Sequence, residues 1–118
     1  MIPIDLQNKL KLNKEDEFIW VENPKDAARL GCKYDKILYC PKEEDEESDI
    51  LDSLLKLCRK DSLILIADIP QTNKRLSNGV EKYNKDIFAE LIEEKKIKKY
   101  WFLKSHKENC LELLIQYA

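Results

Sequence analysis

Glycine is scarce in this chain, whose 118 residues include only two, Gly31 and Gly79. Glycine-rich turns that bring backbone amides against a phosphate need several glycines within a few residues. The sequence therefore excludes a G-x-G-x-x-G dinucleotide turn and a Walker A loop. The length predicts a single domain over 1–118 with room for a sizeable core.

Histidine and closely paired cysteines are also missing. The single histidine, His106, excludes any site that needs two imidazoles, and the four cysteines contain no C-x-x-C pair. This spacing argues against zinc and thioredoxin-type sites, so we expect reduced cysteines that pack as small apolar residues. No apolar run reaches the roughly 18–20 residues of a membrane span, and no signal-peptide pattern begins the chain. We therefore expect a cytoplasmic protein that does not bind membranes.

The charges nearly balance, with 21 basic and 23 acidic residues and a formal net charge of -2. Such a balance provides no overall field that would attract nucleic acid or an anionic membrane. The charges are nevertheless clustered, because 42–49 is acidic and a basic segment lies near the end of the chain. The acidic run lacks the spaced ligands and glycine of an EF-hand loop, so we expect a solvated approach to a helix. Its alternative is a contact with a basic partner.

Apolar periodicity and turn residues predict an alternation of helices and strands. The predicted elements are a short first helix with Leu6 and Leu10 on one face, a strand at 18–21, a helix from Pro24 to Gly31, a strand at 34–40, a helix from an N-cap at Ser48 through Cys58 with Arg59 and Lys60 at its end, a strand at 63–67, a polar loop at 71–79, a helix at 84–94, and strands at 97–103 and 110–117.

This order is typical of an α/β fold. Each of the first two crossovers is long enough to contain a helix, which favours parallel pairing of the first three strands. The short connection between the last two strands predicts an antiparallel hairpin. We therefore predict a three-layer Rossmann-like sheet of about five strands, mostly parallel, with a C-terminal antiparallel hairpin.

A proline follows each of the three predicted parallel strands, at Pro24, Pro41 and Pro70. Ligands of open α/β sheets bind outside the carboxyl ends of the strands. The candidate ligand-binding residues at that edge are Glu22, Asn23, Cys40 and Asp68. Carboxylates beside a thiol could perform acid–base or nucleophilic chemistry. We favour the alternative that the prolines end the strands and the acids solvate loops, and we assign no catalytic residue and no metal ligand.

A second candidate site is a segment near the end of the chain that mixes cations and aromatic residues. Its candidate nucleic-acid-binding residues are Lys96, Lys98, Lys99, Trp101 and Lys104. Cations mixed with aromatic rings are typical of a nucleic-acid platform. Within a strand, however, neighbouring side chains point to opposite faces, and lysines on an edge strand deter aggregation. We therefore favour a structural role for this segment and keep nucleic acid as an alternative.

The strand Tyr34-Asp35-Lys36-Ile37-Leu38-Tyr39, followed by the Leu-rich segment and apolar strand of 54–66, resembles the C-terminal half of a class I S-adenosylmethionine-dependent methyltransferase. The late hairpin of 98–103 with 111–117 is similar to that family's reversed last strand. The resemblance covers 34–117 and consists of hydrophobic patterns. It implies a Rossmann-like fold and a methyltransferase-like ancestry.

The chain also departs from that family. The family's glycine loop should follow the first strand, but Glu22-Asn23-Pro24-Lys25 stands there, and no strand is available for the acidic residue that would hold the cofactor ribose. We therefore expect a reduced, non-catalytic module without a cofactor that acts through a protein partner or a homo-oligomer. The alternatives are a small-molecule-binding enzyme with its crevice at the strand ends and a nucleic-acid-associated protein that uses Lys95 to Lys104.

Overall fold

The computed structural model describes residues 2–41, 50–70, 90–105 and 110–118 and shows a mixed α/β fold built on one open sheet. Its elements, in chain order, are α1 (Ile4–Leu10), β1 (Phe18–Val21), α2 (Pro24–Arg29), β2 (Tyr34–Tyr39), α3 (Ile50–Leu55), β3 (Cys58–Pro70), β4 (Ile97–Lys104) and β5 (Cys110–Tyr117).

The five strands lie in the order β1-β2-β3-β5-β4. The first three are parallel neighbours, as predicted, with Val21 beside Tyr39 and Tyr39 beside Ile66. The last two form the predicted antiparallel hairpin. The prediction of a mostly parallel sheet is wrong, because β5 lies between β3 and β4 and is antiparallel to both. The hairpin thus makes two of the four strand pairings antiparallel.

Two apolar clusters lie on opposite sides of the sheet. On the α1 face, Leu6 and Leu10 pack against Leu38, Leu65 and Ala67. On the α3 face, the helix residues Leu51 and Leu54 share a cluster with the intervening strand residues Ile37, Tyr39, Ile64 and Ile66. This division follows from the alternation of side chains along a strand. The helices are short, six or seven residues each, and a three-layer Rossmann-like arrangement stays a prediction.

The local sequence signals around α1 and α2 are confirmed. Leu6 and Leu10, one turn apart, are both buried. Pro24 occupies the first turn of α2, where its missing N–H costs no hydrogen bond. Gly31, just after the helix, has φ +71°, a conformation that glycine adopts without steric cost. Proline and glycine therefore mark both ends of α2, as predicted.

The predicted extension of the third helix through Lys60 is wrong. The helix α3 ends at Leu55, and Cys58 already pairs with Tyr34 at the start of β3. Ser62 Oγ donates to the carbonyl of Tyr34 at 2.6 Å and accepts from the backbone N–H of Arg59 at 2.9 Å. Asp61 has φ +67° in this irregular stretch. Bonds to β2 therefore hold 58–60 as a strand, although Cys58 continues the apolar stripe of the predicted helix.

The predicted end of the third strand at Ala67 is wrong as well, because β3 continues to Pro70. Asp68 has φ +55° within a break in the β3–β5 register, and pairing resumes with Ile69 beside Leu111. Such an irregularity bends a strand without ending it. The partner strand β5, 40 or more residues away in the chain, thus extends β3 through Pro70.

Several predicted features lie outside the described residues: the acidic run 42–49 with the cap at Ser48, the polar loop 71–79, and His106. The helix predicted at 84–94 is described only at its end, where 90–93 are helical and Lys95 has φ +61°.

Candidate functional site

The carboxyl ends of the three parallel strands meet at one edge of the sheet, where a ligand crevice was predicted. Because Val21, Tyr39 and Ile66 lie side by side, the residues that follow them occupy neighbouring positions. Glu22 and Cys40 therefore lie near each other at the ends of adjacent strands, and Asp68 lies on the next strand. The structure brings these predicted residues to one edge, and their contacts define what each side chain does.

Asn23 caps a helix. Its Oδ1 accepts a hydrogen bond from the backbone N–H of Asp26 at 3.2 Å, at the start of α2. Asparagine is among the preferred N-cap residues because its side chain satisfies an amide that has no partner within the helix. The sequence signal was present in the Asn-Pro pair, with a cap residue followed by proline in the first helical turn. This geometry gives Asn23 a structural role.

Glu22 and Cys40 differ in their surroundings. Glu22 is exposed, whereas Cys40 is half-buried and packs against the apolar cluster of the α1 face. The four cysteines, Cys40 among them, are all free thiols. Cys40 therefore contributes to the packing beneath α1, consistent with the expected apolar role of the cysteines.

Asp68 is bound to the C-terminal hairpin. Its Oδ1 accepts a hydrogen bond from the hydroxyl of Ser105 at 2.9 Å. Ser105 directly follows β4 and is only 7% exposed. The irregularity in β3 thus directs the Asp68 carboxylate to the end of the hairpin. This contact links the carboxyl edge of β3 to a segment 37 residues further along the chain.

A buried ion pair, which sequence analysis missed, lies at the same edge. Lys9 of α1 pairs with Glu112 of β5, which is fully buried. Lys9 Nζ also donates to the carbonyl of Lys104 at 3.1 Å and lies 3.1 Å from Oδ2 of Asp5. Within the described part of the chain, Oε2 of Glu112 is buried and accepts no hydrogen bond. In the sequence, the available signal of this buried pair was the single acidic residue between Leu111 and Leu113.

The charge state of Lys9 follows from these neighbours. Burial lowers the pKa of Lys9, but its hydrogen bonds to Glu112 and Asp5, together with their negative charges, outweigh that effect. The pKa of Lys9 therefore lies above its usual 10.5. Lys9 is a cation at neutral pH, as the buried carboxylate of Glu112 requires.

A second polar network, centred on Arg59, lies at the opposite, amino ends of the parallel strands. Its guanidinium donates to Glu17 and to the carbonyl of Lys33, and its Nε lies 3.7 Å from Oδ1 of Asp35. Hydrogen bonding to Glu17 is the main cause that raises the pKa of Arg59. The network joins the segment before β1 to β2 and β3, which gives it a structural role.

The predicted nucleic-acid-binding residues divide into two groups. Lys96 pairs with Glu94 at 3.1 Å, and Lys98 pairs with Asp61. Hydrogen bonding to Glu94 raises the pKa of Lys96, while the bond from Lys98 lowers the pKa of Asp61. Lys99 and Lys104 are exposed, and within the described residues their ammonium groups form no ion pair. Along β4, Lys99 and Lys104 are therefore the lysines whose charge no described acid pairs with.

A groove of about 360 Å³ separates α2 from α3. Its lining residues are Lys25, Ala28, Arg29, Asp52, Ser53 and Lys56.

Over the ranges that the structure describes, no cluster of histidine, cysteine and acidic residues is arranged to hold a metal ion. None of the helices in those ranges is long and apolar enough to cross a membrane.

Comparisons with known proteins yield little similarity. No protein-family model matches the sequence, and no curated protein matches it. Among solved structures, the chain is similar to that of a possible exported protein from Bordetella parapertussis, with 9% sequence identity and a TM-score of 0.47. The match covers 78% of this chain and 42% of the other, so the matched part is less than half of that protein. At this TM-score the similarity carries no functional inference.

Proposed function

We propose that this chain is a non-catalytic Rossmann-like module, a reduced relative of the class I methyltransferase fold, that acts in the cytoplasm through contacts with another protein. The proposal rests on the fold and on the hydrogen bonds formed by the polar residues at the carboxyl ends of the parallel strands. It includes a three-layer arrangement of helices around the sheet and needs no cofactor.

The observation that carries the proposal is that two of the four predicted crevice residues already form structural hydrogen bonds. The side chain of Asn23 caps α2, and the Asp68 carboxylate accepts a hydrogen bond from the hydroxyl of Ser105. A small-molecule ligand would have to compete with these bonds to use either residue, and an intramolecular hydrogen bond typically contributes about 1 kcal/mol. The edge at which related folds bind ligands is thus committed to holding α2 and the hairpin in place.

Two further features support a methyltransferase-like origin without methyl transfer. The antiparallel last strand, β5, lies between β3 and β4 and matches the reversed last strand that the resemblance implies. The segment after β1, where the resemblance would place a glycine loop, instead leads through the Asn23 cap into Pro24. No glycine brings the backbone close to a ligand there.

A thermal-shift screen with S-adenosylmethionine and nucleotides tests the non-catalytic part. A ligand that binds the folded state raises the apparent stability, so we expect no shift at millimolar ligand. A clear shift with adenosylmethionine that Asp68→Ala abolishes and Asp52→Ala retains would contradict the proposal and favour a small-molecule site at Glu22, Cys40 and Asp68.

Sedimentation of the full chain and a fluorescence-anisotropy screen against a library of extended peptides test the protein-contact part. We expect peptide binders, or a concentration-dependent homo-oligomer, at micromolar to millimolar concentration. A chain that stays monomeric and binds no peptide would contradict the proposal, whatever the outcome with small molecules.

A further inference from the structure

Strand β4 is an eight-residue edge strand with exposed aromatic rings. Within the described part of the chain its one strand neighbour is β5. Trp101 is 39% exposed and Phe102 is 48% exposed, although rings of this size usually bury most of their surface. An edge strand with accessible rings has the features of a site for strand addition, in which a partner segment pairs with the open edge.

The two rings lie on opposite faces of the sheet. Trp101 is opposite Leu114, which packs on the α1 face, and Phe102 is opposite Leu113, which belongs to the cluster of the α3 face. Phe102 also contacts Tyr100 edge to face, with ring centroids 6.2 Å apart. Both faces of the same edge therefore present an aromatic surface to a neighbouring strand.

Among the residues that the structure describes, each face also carries one lysine whose ammonium group forms no ion pair. Lys99 lies two residues before Trp101 and thus on the α1 face, and Lys104 lies two residues after Phe102 and thus on the α3 face. Lys96 and Lys98 instead pair with Glu94 and Asp61, respectively. The edge consequently presents one cation and one aromatic ring on each face, in the order cation, any residue, ring, ring, any residue, cation.

We propose that β4 binds an extended acidic segment of a partner protein, which adds a further strand to the sheet. The complementary pattern is acidic, any residue, apolar, apolar, any residue, acidic, so that carboxylates face Lys99 and Lys104 while apolar side chains face Trp101 and Phe102. The pattern is the same in both chain directions, so it fits parallel and antiparallel addition. Backbone hydrogen bonds supply affinity, and the charged and aromatic pairs supply specificity.

Two other occupants fit the edge less well. Single-stranded nucleic acid stacks successive bases on neighbouring rings. Trp101 lies on the opposite face from Tyr100 and Phe102, and those two rings are nearly perpendicular, with an interplanar angle of 86°, so the three rings form no common platform. A second copy of β4 would place the lysines of both strands along one shared edge, and like charges on paired strands are destabilising. The charge and the alternation of faces favour an acidic protein strand. This proposal rests on the proposed function as a protein-contact module.

Fluorescence anisotropy of a labelled peptide, titrated with the full chain, tests the proposal for β4. The central residues of this peptide are Glu-Thr-Ile-Val-Thr-Glu. We expect saturable binding that weakens with salt, and no binding of the matched peptide with lysine in place of glutamate. The double variant Lys99→Glu/Lys104→Glu should weaken binding about tenfold or more, and Trp101→Ala about tenfold. The control variant Lys14→Glu/Lys60→Glu, with the same change in net charge, should bind like the parent.

Each contrary result is distinct. No binding of the acidic peptide, or equal binding by the Lys99→Glu/Lys104→Glu variant and its control, would overturn the proposal for β4. Tighter binding of a single-stranded oligonucleotide, with a steep salt dependence, would overturn it in favour of nucleic acid. Self-association that Trp101→Ala abolishes would overturn it in favour of a second copy. If the library screen still yields peptides that bind elsewhere, the protein-contact function stands and only the β4 proposal fails.

Discussion

Lys9 of α1 and Glu112 of β5 form an ion pair on the α1 face of the sheet, although 103 positions separate them in the chain. The Glu112 side chain is completely buried, and the Lys9 side chain is 18% exposed. Together with the packing of Leu6 and Leu10, this pair attaches the first helix to the last strand. The pair is therefore the contact through which the two ends of the chain are held together.

Removal of Lys9 should destabilise the protein strongly. The Lys9→Met variant leaves the Glu112 carboxylate buried without a cation, which should cost about 3 kcal/mol of unfolding free energy. The double variant Lys9→Met/Glu112→Gln should cost less than Lys9→Met alone, because no buried charge remains. Urea unfolding monitored by circular dichroism measures both. The exposed-site control Lys14→Met should lie within about 0.5 kcal/mol of the parent, and equal losses for Lys9→Met and this control would refute the buried pair.

The buried thiol of Cys58 predicts a stability that falls with rising pH. Burial raises the pKa of Cys58 from 9.0 to about 12, and the nearby Lys33 only partly offsets this. Above pH 9 the unfolded thiol loses its proton while the folded thiol keeps it, so its contribution is complete below pH 9 and is lost between 9 and about 12.

The Cys58→Ala variant isolates this effect. The stability difference between the parent and Cys58→Ala should shrink with pH in that range, by up to about 1.4 kcal/mol per pH unit. Urea unfolding of both proteins at several pH values between about 8 and 11 measures it. A difference that stays constant would show that the thiol titrates normally in the folded chain.

The helix cap at Asn23 should matter for stability. Asn23→Ala removes the acceptor for the Asp26 N–H and should cost about 1 kcal/mol, whereas Asn23→Asp keeps an acceptor and should cost little. Thermal unfolding of the two variants side by side measures the difference. Equal melting temperatures for the alanine and aspartate variants would argue against the cap and return Asn23 to the list of ligand candidates.

The conformation of Asp68 predicts an unusual order of variants. Asp68→Ala loses the bond from Ser105 and places alanine at φ +55°, so it should cost about 2 kcal/mol. Asp68→Gly loses the same bond, but glycine adopts positive φ readily, so it should cost about 1 kcal/mol. Chemical denaturation ranks the two. A glycine variant less stable than the alanine variant would be incompatible with the backbone irregularity described for β3.

Local patterns were sufficient for much of the architecture. The spacing of Leu6 and Leu10, the proline and glycine around α2, and the compact apolar run of β1 each depend on neighbours a few residues away. The same is true of the hairpin, whose two β-prone runs are joined by a short connection. These features follow from the sequence because helix periodicity, strand alternation and turn residues act over short distances.

The errors occurred where a distant strand decided the outcome. The apolar stripe predicted for the third helix continues to Cys58, with basic residues at 59 and 60 as in a helix end, yet pairing with β2 makes 58–60 part of a strand. The extension of β3 beyond Asp68 depends on β5. The insertion of β5 between β3 and β4, which makes half of the pairings antiparallel, is likewise a choice of partner strand. Hydrogen-bond partners across a sheet are not encoded in the local pattern of either strand.

The candidate surfaces show the same division. The sequence by itself determined that no glycine-rich phosphate turn exists, that 96–104 mixes cations and aromatic residues, and that polar residues follow the parallel strands. Only the tertiary structure decided that Asn23 and Asp68 are engaged in structural bonds, that Glu112 lies buried against Lys9, and that Lys99 and Lys104 form no ion pair with any described residue. The physical reason is that composition limits which chemistry is available, whereas burial and pairing across the sheet determine which side chains remain accessible to a partner.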